Sequence, residues 1–120
     1  HDAPMNSTAD DDVAFAGVAR LGELLRQDQM TPRELTEIYL TRIERHNSAL
    51  GAFISVRAER ALAEADAAQR RLRAGECGAL LGMPIAIKDN VDLAGEPTTH
   101  GSAGRHHPAT AGSEVVRRLT

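Results

Sequence analysis

Bulky apolar side chains are what this chain lacks. Hydrophobic residues make up 42% of its 120 positions, but twenty of them are alanine, and the aromatics amount to two Phe, one Tyr and no Trp. Aromatic side chains usually supply the largest buried areas. The core that this sequence can build by itself is therefore thin, and its length holds one domain at most.

Charge and cysteine content narrow the function classes. The formal net charge is −3, which argues against a partner held by phosphate electrostatics, so no nucleic-acid partner is expected. A single cysteine, Cys77, excludes an internal disulfide framework and a cysteine-based zinc site. No apolar run reaches the roughly 18–20 residues that span a bilayer, so no membrane partner is expected. No basic segment followed by an apolar one opens the chain, so no secretory signal is visible. A reduced, cytoplasmic setting is the default expectation. Residues 1–12 hold Asp2, Asp10, Asp11 and Asp12, no Lys or Arg, and one large apolar residue, Met5. They read as a disordered acidic leader or a remnant of processing.

Periodicity places four helices and two strands in residues 13–120. Ala14, Val18, Leu21 and Leu25 recur at helical spacing and predict a helix over about 13–26, weakened by Gly17 and Gly22. Thr31, Pro32 and Glu34 are a capping-box start with Pro at the first helical position. The stripe Leu35, Ile38, Tyr39, Ile43 carries that helix to about Asn47, which suits a left-handed end. Ala52–Val56 is rich in strand formers and reads as a strand. Residues 57–74 turn to Ala, Glu, Arg and Gln, with an Ala-rich face suited to a flat surface such as a sheet, and Gly75 as its cap. Residues 84–88 read as a second strand, with Ile85 and Ile87 on one face and Ala86 and Lys88 on the other. A glycine- and proline-punctuated loop runs from Asp89 to Gly112, long enough to be functional or covered by other structure. A last helix opens at Ser113 and runs to 120.

Lys88 stands out among the candidates for chemistry. Thirteen of the 14 cations are Arg, and the one Lys closes an apolar run, Met83–Ile87. Arg cannot lose its proton in a protein, whereas a desolvated Lys becomes a neutral base. The plainer alternative is a solvated lysine at a strand end. Asp89, Asp92 and Glu96 match no metal-loop spacing and read as turn acids. His106-His107 reads as an exposed loop pair, and Cys77 has no partner at metal spacing. No metal and no cofactor are expected.

At this segment the sequence resembles the amidase signature family. The residues that carry the resemblance are Leu81-Gly82-Met83-Pro84-Ile85-Ala86-Ile87-Lys88-Asp89-Asn90-Val91-Asp92, then Gly95, then Thr98-Thr99-His100-Gly101-Ser102. The resemblance covers about residues 13–120. It implies an α/β fold, the N-terminal part of an α/β/α domain with a mixed central sheet, mostly helical over this stretch. It implies an amidase that hydrolyses carboxylic amide C–N bonds through a Ser–cis-Ser–Lys triad and an acyl-enzyme. Lys88 would be its lysine, with Asp89, Asn90, Thr99, Gly101 and Ser102 in a supporting active-site loop. Both serines and the oxyanion hole would lie after residue 120, so the chain alone is expected to be inactive. The implied partners are a small-molecule amide substrate and the remainder of the domain, with homodimerisation left open. The glutamine-hydrolysing component of a glutamine-dependent amidotransferase shares the signature and is the alternative enzyme. A non-catalytic interaction module, with Lys88 paired to a carboxylate, is the alternative of another class.

Overall fold

The computed structural model describes residues 7–120 and resolves five helices. They are α1 (Ser7–Ala14), α2 (Val18–Arg26), α3 (Pro32–Leu50), α4 (Ala58–Arg73) and α5 (Glu114–Leu119). The chain divides into two units. One runs up to Pro84 and holds α1–α4, and the other is Ile85–Thr120 and holds α5.

Glycine at position 17 splits the helix expected over 13–26. Its φ of 83° is a left-handed conformation, so α1 ends before it and α2 starts after it. The leader expected to be disordered is corrected as far as it is described. Residues 1–6 lie outside the described residues, while Ser7–Ala14 are helical. Asp10 lies in the first turn, where a negative charge suits the helix dipole. Asp11 pairs with Arg42, Tyr39 Oη donates to the Ala14 carbonyl (3.3 Å), and Arg42 lies over the Phe15 ring.

The start of α3 is a complete capping box. Thr31 Oγ1 accepts the Glu34 N–H (3.1 Å), and the Glu34 carboxylate accepts the Thr31 N–H (2.8 Å). The helix continues past Asn47 to Leu50, and Gly51, at φ 60°, provides the left-handed end. Asn47 has a different task. Its side chain donates to the Phe53 carbonyl (2.9 Å) and accepts the Phe53 N–H (2.8 Å), folding the chain back after the helix.

The core of this unit is small. Leu21 and Leu25 of α2 surround Leu35 of α3, which is fully buried, with Val13, Met30, Tyr39, Leu72 and Met83 packed around them. The alanine face of α4 packs on α3, and no sheet lies beneath it among the described residues. Ala65 and Ala68 are buried, and Arg33 of α3 binds Asp66 of α4 (2.7 Å). Small side chains let two helices lie close, which is how an alanine-rich sequence fills space without bulk.

Neither expected strand forms among the described residues. Residues 52–56 and 84–88 are irregular, and the β-pairing seen is two isolated bridges, Ala94 with Ala109 and Pro97 with Pro108. A strand needs a neighbour to take its N–H and C=O groups. Here Ile54 is 72% exposed and Ile85 41% exposed, so the strand formers are present without a ladder to join.

Candidate functional site

The site is built on the turn that follows the apolar run. The Val91 N–H donates to the Lys88 carbonyl (3.0 Å), which places Asp89 and Asn90 at the corner. The Lys88 side chain is exposed and has neither a hydrogen-bond nor an ion-pair partner among the described residues.

Asp89 behaves differently. Its half-buried carboxylate turns toward residues 99–101. Oδ1 accepts the Thr99 N–H (2.7 Å), while Oδ2 accepts the Thr99 hydroxyl and the Gly101 N–H (3.3 Å). Its main-chain carbonyl accepts the His100 N–H (2.9 Å). The Thr99 hydroxyl above all, then the Thr99 amide, holds this carboxyl below the usual carboxylate range, with the Gly101 amide and the nearby His100 adding to it.

Residues 99–102 close a tight turn. The Ser102 N–H donates to the Thr99 carbonyl (2.9 Å), and the two central residues, His100 and Gly101, have φ of 53° and 75°. Positive φ at both positions is the sign pattern of a type I′ turn, and it explains a glycine at 101. Ser102 Oγ lies 2.9 Å from the same carbonyl and 2.9 Å from His106 Nε2. The hydroxyl proton serves the Thr99 carbonyl or His106 according to the tautomer of the histidine.

Of the expected supporting residues, the structure brings Asp89, Thr99, Gly101 and Ser102 together. Asn90 stays at the exposed turn corner, without a side-chain hydrogen bond among the described residues. Two contacts carry no sequence signal: Ser102 with His106, and the Thr98 hydroxyl with Asp92 (2.7 Å). An open polar groove of about 520 Å³ lies alongside, lined in part by Asp92, Thr98, His100, His106 and Ser113. Among the described residues no three His, Cys, Asp or Glu side chains converge as metal ligands would.

The described residues form a helical scaffold and a lysine-bearing loop whose turn is held by a carboxylate. The chain belongs to the amidase family: the family's sequence model, described as Amidase, matches residues 34–120. It is 56% identical over 108 residues to a Mycobacterium tuberculosis protein named "Putative amidase AmiB2", covering 90% of this chain and 23% of that protein. It is 49% identical over 90 residues to "Putative amidase AmiA2" of Mycobacterium bovis, covering 75% of this chain and 19% of that protein. It is 44% identical over 103 residues to a Glutamyl-tRNA(Gln) amidotransferase component of Halorhodospira halophila, covering 85% of this chain and 21% of that protein. The chain thus spans less than a quarter of the length of these curated relatives.

Proposed function

We propose that the protein carrying this chain is an amidohydrolase that breaks carboxylic amide C–N bonds, with Lys88 as its proton acceptor. The observation that carries the reading is that the family match runs through Lys88, the one lysine in a chain whose other cations are all arginine. In this reading two serines outside residues 1–120 complete a Ser–cis-Ser–Lys triad. The nucleophilic serine attacks the amide carbonyl, and its proton passes through the bridging serine to neutral Lys88. Backbone N–H groups hold the oxyanion. Collapse expels the amine, which takes the proton back along the same path. Water then cleaves the acyl-enzyme and releases the acid.

Accepting that proton requires the neutral amine, which desolvation favours. Lys88 is exposed among the described residues, so the reading needs the rest of the domain to cover it. The same covering supplies the α/β architecture. Residues 52–56 and 84–88, whose apolar side chains stand open, then join a mixed sheet as strands. No described helix is long and apolar enough to cross a membrane. The exposed thiol of Cys77 suits a reducing, cytoplasmic compartment.

The Halorhodospira relative favours a second reading, an amidotransferase component that releases ammonia from glutamine for a partner protein. The test is ammonia release by the complete protein from a panel of simple amides and from glutamine, with and without Lys88→Ala. Broad turnover lost by several orders of magnitude in the variant supports the hydrolase. Turnover confined to glutamine supports the amidotransferase. Turnover that survives Lys88→Ala refutes the assignment of the base.

A further inference from the structure

Asp89 follows Lys88 directly, yet its carboxylate serves its own loop. Three donors converge on it: the Thr99 N–H and hydroxyl, and the Gly101 N–H, which it shares with Thr99 Oγ1 (3.3 Å), while the His100 N–H binds the Asp89 main-chain carbonyl. A turn acid in water needs no such set. The turn it holds is itself costly. His100 has a left-handed φ of 53°, which a residue with a Cβ keeps only when its surroundings over-determine it.

We propose that Asp89 is a positioning residue whose carboxylate clasps the Thr99–Gly101 turn and thereby fixes the backbone from which Lys88 projects. The inference rests on the hydrolase reading above. The clasp joins positions ten residues apart, and the 88–91 turn is closed by the Lys88 carbonyl itself. Backbone movement at Asp89 therefore moves Lys88. The chemistry also explains the side chain. Asparagine would still accept the Thr99 N–H on one atom. Its NH₂ would then face the Gly101 N–H where Oδ2 now accepts, a donor against a donor. Glutamate keeps the charge, but its extra methylene overshoots donors that now sit 2.7 and 3.3 Å away. The donors also account for the ionised form, since they favour the charged carboxylate.

The experiment uses the complete protein and four variants: Asp89→Asn, Thr99→Val, Thr99→Ser, and the double variant Asp89→Asn/Thr99→Val. Two readouts are taken, amide hydrogen exchange over residues 98–102 and steady-state kinetics on an amide. Asp89→Asn is expected to speed exchange at Thr99 and Gly101 by about tenfold or more. It is expected to lower kcat by about 10- to 100-fold with KM within about twofold, as a small misplacement of a reacting group would. Thr99→Ser retains the hydroxyl and recovers most of what Thr99→Val loses. The double variant is no worse than Asp89→Asn alone, because both remove one clasp. Exchange unchanged in Asp89→Asn overturns the clasp. Exchange that rises while kcat holds, or losses that multiply in the double variant, overturns the positioning role. Turnover that survives Lys88→Ala refutes the hydrolase reading instead, and leaves the exchange result to decide the clasp.

Discussion

Gly82→Ala is the substitution whose cost the structure specifies best, because a second glycine provides its control. Gly82 lies at φ 85°, and a Cβ there would sit 2.8 Å from Pro32 Cγ and 3.3 Å from both Leu25 Cδ1 and Pro32 Cβ. Neither neighbour can give way, since Pro32 is fully buried at the first turn of α3 and Leu25 is a core residue of α2. Gly75, just beyond α4, has nearly the same φ of 88° but would meet nothing within 4 Å. Both variants share the backbone cost, about 1–2 kcal/mol for a left-handed residue with a Cβ. A stiffer unfolded chain offsets about 0.4–1 kcal/mol of it. Gly75→Ala should therefore destabilise by about 1 kcal/mol. Gly82→Ala adds overpacking of about 1–3 kcal/mol, for a total of about 2–4 kcal/mol. Against a domain stability of about 5–15 kcal/mol that is a large share, and it corresponds to a fall in Tm of roughly 10–30 °C. Urea unfolding followed by far-UV circular dichroism measures both variants. A difference between them below about 0.5 kcal/mol, the usual error of additivity, would refute the close-approach argument.

Three further outcomes are expected. Thr31→Ala removes the hydroxyl half of the α3 capping box, leaving the backbone N–H to Glu34, and should cost about 1 kcal/mol, or roughly 4–8 °C in Tm, read from the thermal transition. The Asp89 carboxyl is held below its unfolded value, so its contribution is fully present above the ordinary carboxylate range and is lost progressively from there as pH falls through the lowered folded value. Exchange at Thr99 and Gly101, corrected for its intrinsic pH dependence, should stay flat from neutrality down to the ordinary carboxylate range and lose protection below it, and a loss that begins well above that range would contradict the clasp. Ile54→Ser should change the stability of the 120-residue chain by less than about 0.5 kcal/mol, because Ile54 is 72% exposed. In the complete protein it should cost more than about 1 kcal/mol if residues 52–56 join a sheet there.

The start of α3 was legible because its signals are local: a hydroxyl, a proline and a carboxylate within four positions satisfy one another without outside help. The end of α3 was not, because Asn47 and Gly51 are both credible terminators. Asn47 was taken up by Phe53, a contact that depends on how the chain returns. The strand readings at 52–56 and 84–88 fail here for a different reason. Propensity marks residues that fit a sheet, but a sheet exists only when a neighbour supplies the other half of each hydrogen bond. Lys88 was visible as a compositional anomaly. The Asp89 clasp was not, because residues ten apart in a loop share no period, and only the folded turn puts the Thr99 and Gly101 donors against one carboxylate.

The central claim is that Lys88 accepts a proton during acylation, and a single-turnover measurement tests it most directly. The complete protein is mixed in excess with a chromogenic amide, and the rate of release of its amine is followed for the natural sequence, Lys88→Ala and Lys88→Arg. Arginine keeps the positive charge and cannot act as a base. Both variants are predicted to acylate at least about a thousandfold more slowly. Near-natural acylation by Lys88→Arg would contradict the account and make Lys88 a holder of charge.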